Sequence, residues 1–263
     1  MNTLITGASS GIGEAIALAC ARRGERLFLC GRDCGRLEAV AAACRELRAA
    51  ATTDAAAEPD GGIQSRVVDV TDEAAVRKWI EDCETVAPLE RVISNAGVST
   101  GEETEENSRR TFAINVGGCL NVVHPAIEIF RRRGQDDPHP RQILITASVA
   151  GYGPLKACPA YSATKACVKT WGLALRGQLA PENIRVNVIC PGFVKSRLTD
   201  RNTCPMPFIM PAEKAARIIL ARADRNVGLI AFPWPMRLAT WWLSVLPWRL
   251  NELINRLLPR KVI

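Results

Sequence analysis

Among the ten cysteines no two stand in a Cys-x-x-Cys pair, which excludes the commonest dithiol and zinc-binding spacings, and no metal site is expected. Cys20, Cys30, Cys119, Cys167 and Cys190 lie inside apolar stretches instead and read as small core hydrophobes. There is no internal repeat and no extended low-complexity tract, which removes solenoid and fibrous folds. Neither a long run of Lys and Arg nor a nucleic-acid-binding motif accompanies the formal charge of +7 and the pI of about 9.0. The surplus reads as a solvated basic surface that favours phosphates, anionic lipid or acidic substrates, and nucleic acid is not an expected partner. The apolar run ending at Thr6 is shorter than the apolar region of a secretory leader and has no cationic start. Together with the scattered cysteines this leads us to expect a reducing cytoplasm.

What is present is ordinary globular material: 48% hydrophobic and 23% charged residues over 263 positions, enough for a sizeable core. Short apolar runs alternate with longer helical stretches, the pattern of βαβ units around a parallel sheet. Strands are expected at Thr3–Thr6, Arg26–Cys30, Gln64–Val68, Arg91–Ser94, Gln142–Thr146, Arg185–Ile189 and Gly228–Phe232. Helices are expected at Gly13–Arg23, Arg32–Ala50, Glu73–Ala87, Ser108–Arg131, Ala160–Leu179 and Pro211–Ala223. Most strand runs lack polar alternation, as strands covered by helices on both faces should. The expected architecture is a single α/β domain built on a doubly wound parallel sheet of about seven strands with helices on both faces. Segments 51–62 and 133–141 carry Pro, Gly and Asp and are expected to be exposed loops.

The first strand leads directly into Thr6-Gly7-Ala8-Ser9-Ser10-Gly11-Ile12-Gly13 and then a helix. Glycines and small residues there let the backbone turn tightly and approach a pyrophosphate, whose charge is met by the amides and dipole of the helix start. The spacing is G-x-x-x-G-x-G, and its place between first strand and first helix marks a Rossmann-type dinucleotide turn. Gly7, Ser9, Ser10, Gly11, Ile12 and Gly13 are the expected contacts. The second strand ends in Leu29-Cys30-Gly31-Arg32-Asp33. An arginine at that tip suits a ribose 2′-phosphate, so Arg32 favours NADP(H) over NAD(H). Asp69 and Val70, after the third strand, suit the adenine edge. Asp69 equally suits a helix cap, a role open also to Thr71 or Asp72. Asn95-Ala96-Gly97 forms another small turn after the fourth strand.

Tyr161 and Lys165 are four residues apart, so on a helix they share one face. A neighbouring ammonium favours phenolate and is expected to lower the tyrosine pKa, fitting Tyr161 to donate or accept a substrate proton. Ser148 falls just past the fifth strand, where it could hydrogen-bond a substrate carbonyl, and Asn115 lies in the helical stretch before that strand. From Asn2 to about Phe232 this set resembles the short-chain dehydrogenase/reductase family. The resemblance implies an NADP(H)-dependent oxidoreductase that moves hydride between nicotinamide and a carbonyl or alcohol. It implies a proton relay of Asn115, Ser148, Tyr161 and Lys165, with Lys165 also holding the nicotinamide ribose. Pro191-Gly192-Phe193-Val194 resembles the family's turn after the sixth strand, with Val194 at the carboxamide. Ser196 stands where many members carry threonine, and Lys195–Met210 corresponds to the substrate loop. A homodimer or homotetramer through the Ser108–Arg131 and Ala160–Leu179 helices is implied in the same way. Two other readings stay open: a non-catalytic NADP(H)-binding regulatory protein, and an epimerase or dehydratase on the same fold.

After the dinucleotide-binding and catalytic part, residues 1–232, comes a tail, 233–263, that is expected to belong to the same domain. It holds four of the six tryptophans (Trp234, Trp241, Trp242, Trp248), followed by Arg249, Arg256, Arg260 and Lys261. The apolar stretch between Arg237 and Pro247 is far shorter than the ~20 residues a bilayer requires. The composition suits peripheral contact with a membrane surface. It also suits a lid over a bulky apolar substrate or a subunit contact.

Overall fold

The computed structural model describes residues 1–52, 59–200 and 206–257. Its centre is a parallel sheet of β1 (Asn2–Thr6), β2 (Arg26–Gly31), β3 (Ile63–Val67), β4 (Arg91–Ser94), β5 (Gln142–Thr146), β6 (Arg185–Pro191) and β7 (Leu229–Phe232), in the order β3-β2-β1-β4-β5-β6-β7. The central strands are buried along nearly their whole length, which explains why their apolar centres lack polar alternation. One face is covered by α1 (Gly11–Ala21), α2 (Cys34–Ala51) and α8 (Ala212–Asp224). The other is covered by α3 (Glu73–Val86), α5 (Gly118–Arg133) and α6 (Pro159–Leu179). Strand order reverses between β1 and β4, so the loops leaving their carboxyl ends diverge and open a crevice.

Local signals start the helices. Asp33 accepts the Arg36 N–H at 3.0 Å to open α2, and Asp72 accepts the Ala75 N–H at 3.0 Å to open α3. The stretch expected as one helix from Ser108 to Arg131 is instead three pieces: α4 (Glu105–Phe112), a π-helical turn over Ala113–Gly117, and α5. Thr104 caps the Asn107 N–H and starts α4 upstream of the expected boundary. The wider π turn accommodates an extra residue and leaves Asn115 only 2% exposed. Cys167, expected in the core, is exposed, because it projects from α6 between the buried positions Lys165 and Val168. Residues 53–58 of the first expected loop lie outside the described residues.

The amino-terminal edge of the sheet is tied by charge. Arg91, 1% exposed, donates to Gln142 Oε1 at 2.8 Å and to Asp224 Oδ1 at 2.7 Å. Gln142 in turn donates to Asn187 Oδ1 at 2.7 Å, joining β4, β5, β6 and α8. The crevice is at the opposite edge. A short α7 (Arg197–Asp200) follows β6, and after β7 come α9 (Trp234–Val245) and α10 (Trp248–Leu257). Arg260 and Lys261 of the tail lie outside the described residues.

Candidate active site

At the carboxyl edge of β1 the chain enters the glycine turn. Gly7 and Gly11 have φ of +66° and +62°, a region that side chains with a Cβ rarely adopt. A Cβ on Gly7 would lie 2.9 Å from Ala96 Cα, and one on Gly11 2.9 Å from Ser196 Cβ. At these two positions backbone alone therefore faces the crevice. Gly13 has a different role: its Cβ would sit 2.2 Å from the Gly7 carbonyl oxygen, and the residue does not line the cavity. It lets α1, which begins two residues earlier than expected, press against the turn. Asn95 joins the turn to β4, its Nδ2 donating to the Thr6 and Gly7 carbonyls at 3.2 and 3.4 Å. The backbone N–H groups of Asn95 and Ala96 both donate to Thr6 Oγ1.

These elements enclose a cavity of ≈ 330 Å³, within the range of small-ligand sites. Gly7, Ser9, Ser10, Gly11 and Ile12 line it, as do Arg32, Val70, Asn95, Ala96 and Gly97. Ser148, Tyr161, Lys165, Pro191, Gly192, Val194 and Ser196 line it too. Of the sequence-selected positions, Gly13, Asp69 and Asn115 stand outside the lining. Arg36, Arg197 and Thr199 line it without having been selected. Nothing in the spacing around Arg36 distinguishes it from an ordinary helix-surface arginine; its place in the first turn of α2, paired with Asp33, brings it to the cavity.

At the β2 end, Asp33 is engaged as the α2 cap and pairs with Arg36 at 2.5 Å, leaving Arg32 as the residue presented at the strand tip. Asp69 does not line the cavity. Its Oδ1 accepts the N–H and O–H of Thr71 at 2.9 and 2.8 Å, and its Oδ2 stands 3.8 Å from Arg32. Burial raises the Asp69 pKa, but the two Thr71 bonds and Arg32 outweigh it and hold the carboxyl below its ordinary value.

At the other end, α6 carries Tyr161 and Lys165. The first turn of this helix has no side-chain cap of its own, and the Glu103 carboxylate, from the loop before α4, accepts the Ala160 N–H at 3.0 Å. Lys165 is 4% exposed and donates to the Thr146 carbonyl at 2.8 Å. Burial drives its pKa down to about 8. Burial likewise pushes the Tyr161 phenol up to about 12, and a hydrogen bond with Ser148 opposes this only in part. The expected lowering of the phenol by lysine is thus absent. The ammonium is bound to the β5 carbonyl, 5.8 Å from the Tyr161 ring centroid, and desolvation dominates. Asn115 lies behind the cavity. Its Oδ1 accepts the Val98 N–H at 2.8 Å, and its Nδ2 donates to the Val98 carbonyl at 2.9 Å and Thr164 Oγ1 at 3.0 Å. A Cβ on Gly97 would come within 3.2 Å of both Asn115 Oδ1 and Lys165 Nζ, so the bare glycine lets these groups approach one another.

The turn after β6 is pinned from two sides. Val194 pairs with Met210 at the base of the Lys195–Met210 loop, and Thr199 Oγ1 accepts the Ser196 N–H at 2.8 Å. Pro205 lies outside the described residues, and Pro207 sits in an exposed turn.

A crevice at the switch point of a doubly wound sheet, floored by a bare glycine turn, defines a Rossmann-type nucleotide-binding protein. The sequence pattern of the short chain dehydrogenase family matches residues 1–205, and the chain belongs to that family of oxidoreductases. It is similar to an uncharacterized oxidoreductase of Myxococcus xanthus, 35% identical over 93% of this chain and 92% of that one. It is also similar to an uncharacterized oxidoreductase of Mycobacterium tuberculosis, 32% identical over 95% of each. Among solved structures, a short-chain dehydrogenase from Sphingobium yanoikuyae in complex with NADPH superposes with a TM-score of 0.74 at 26% identity, covering 97% of this chain and 94% of that one.

Proposed function

We propose that the protein is an NADPH-dependent reductase of a small-molecule carbonyl, with Tyr161 as its acid. The observation that carries this reading is the sharing of one cavity by Ser148, Tyr161 and Lys165 with the glycine turn and Arg32. The residues present fit the cofactor. Gly7 and Gly11 leave room only for backbone, so amides can approach a pyrophosphate. Arg32, with Arg36 beside it, offers cations for a 2′-phosphate. The NADPH of the Sphingobium structure supports the same choice. Lys165 would hold the nicotinamide ribose, and Pro191, Gly192, Val194 and Ser196 would border the nicotinamide. When bound, the cofactor supplies the hydride.

The protein's own part is to hold the carbonyl and give it a proton. Ser148 is nearly buried, with its Oγ within 3.4 Å of the Pro191 carbonyl and accepting the Ala150 N–H at 3.1 Å. That fixes the hydroxyl beside the phenol, where both can donate to one substrate oxygen. With its pKa raised to about 12, Tyr161 remains protonated at neutral pH, which suits donation to an oxygen gaining charge during reduction. Lys165 and, behind it, Asn115 position these groups. NADPH consumption by the purified chain over a panel of ketones and aldehydes tests the reading. Tyr161→Phe is expected to lower turnover by about 10²–10⁴-fold, with NADPH binding by fluorescence titration nearly unchanged. Retained turnover in this variant would remove Tyr161 from its role.

A further inference from the structure

The helices of the tail break the rule that a surface helix turns its apolar stripe inward. On α9, Trp234, Leu238, Trp241, Trp242 and Val245 recur at helical spacing and so share one face. That face points outward: Trp234 is 74% exposed and Trp242 53%. On α10 the polarity is inverted. Asn251 is buried, Asn255 accepts the Lys156 N–H at 2.9 Å, and the Lys156 ammonium donates to the Arg256 carbonyl. Leu250 and Leu253 meanwhile remain half-exposed, and Trp248 is 69% exposed. Polar groups hold the helix to the protein while its apolar groups face away from it.

The surface is anchored to the body. A Cβ on Gly192 would meet Met236 Sδ at 2.8 Å and Pro233 Cδ at 2.9 Å, so α9 sits hard against the turn after β6. Trp234, Arg237, Leu238 and Trp241 enclose a shallow hollow with Tyr152 and Leu229. The cavity lining contains no residue beyond Thr199, so these side chains do not form a wall of the candidate active site.

From these observations we propose that α9 and α10 dock the protein in the plane of an anionic bilayer. From Pro233 onward the sequence has five cationic residues and a single acidic one, Glu252, which is paired with Arg256. On the described helices Arg237, Arg249 and Arg256 outnumber the single acid, so a second copy seated there would bring like charge against like charge. An anionic headgroup layer complements that charge and also accommodates indole rings, apolar in body and polar at the N–H. With 12 and 10 residues, α9 and α10 are too short to span a membrane and suit an interfacial position. The single helical run among the described residues that is long and apolar enough to cross, Glu105–Arg133, has more than half of its apolar window buried in the core.

The test uses the full chain and sedimentation with vesicles of phosphatidylcholine alone or mixed with phosphatidylglycerol. The mixed vesicles are expected to carry the protein down, less so at high salt, and pure phosphatidylcholine to carry much less. Tryptophan emission should shift to the blue with the mixed vesicles only. The double variant Trp242→Ser, Leu253→Ser, altered at two exposed positions, is expected to partition on the order of tenfold more weakly with unchanged melting temperature and NADPH affinity. A wild-type chain that neither sediments nor shifts its emission overturns the proposal, whatever the variant does. So does a variant that sediments like wild type. A wild-type dimer that the same variant dissociates, without vesicle binding, would assign the surface to a subunit contact instead.

Discussion

Replacing Lys165 by methionine is expected to stabilise the protein in the absence of NADP(H). The side chain is 4% exposed and its ammonium gives up its proton at about 8 instead of 10.5. Each pKa unit corresponds to ~1.4 kcal/mol, so holding the charge in the folded chain costs about 3 kcal/mol. Methionine keeps an unbranched stem of similar length but loses the hydrogen bond to the Thr146 carbonyl, a loss of ~1–2 kcal/mol. The net gain is about 1–2 kcal/mol, or a melting temperature roughly 2–4 °C higher in a chain of this size. The pH dependence identifies the cause. Below about pH 8 the lysine is protonated in both the folded and the unfolded chain, and the full cost is present. Between about 8 and 10.5 the folded chain has released the proton while the unfolded chain still binds it, so wild type gains stability as pH rises. The advantage of Lys165→Met should be largest at pH 7 and shrink toward zero, or reverse, near pH 10.5. Thermal unfolding of both proteins across this range checks it. Equal melting temperatures at pH 7, or a difference that does not change with pH, would refute the argument that desolvation of this ammonium dominates.

Arg32→Asp should weaken NADPH far more than NADH, because it sets a carboxylate against the 2′-phosphate; parallel fluorescence titrations with unchanged relative affinities would discharge Arg32 from that role. Gly13→Ala places a methyl 2.2 Å from the Gly7 oxygen, a backbone clash expected to cost roughly 1–3 kcal/mol or more in urea unfolding and to weaken cofactor binding. Asp224→Ala leaves the buried Arg91 without its carboxylate. Asp224 is itself 40% exposed, so a loss of about 1–2 kcal/mol is expected, with the NADPH dissociation constant unchanged because the pair lies at the edge of the sheet remote from the crevice. Calorimetry and titration on the same preparation separate those two effects.

The sheet was legible in sequence because strands such as Gln142–Thr146, buried on both faces, need an apolar centre with no polar alternation, here Ile143–Ile145, and turn residues bound them. The glycine turn and the Tyr161/Lys165 pair were legible because each lies within one local segment whose spacing has a direct steric meaning. What escaped were effects of partners distant along the chain. The π turn that buries Asn115 reflects packing against Val98 and Thr164. Asp69 is drawn to Arg32 across two strand ends, and Glu103 caps a helix 57 residues away.

Sequence alone thus determined the order of elements, the place of the crevice and the residue types at its two ends, since these follow from periodicity and backbone sterics within short windows. Tertiary structure alone decided the protonation bias of Tyr161 and Lys165 and the outward face of the tail. Desolvation and exposure depend on which surfaces remain uncovered once the whole chain has packed.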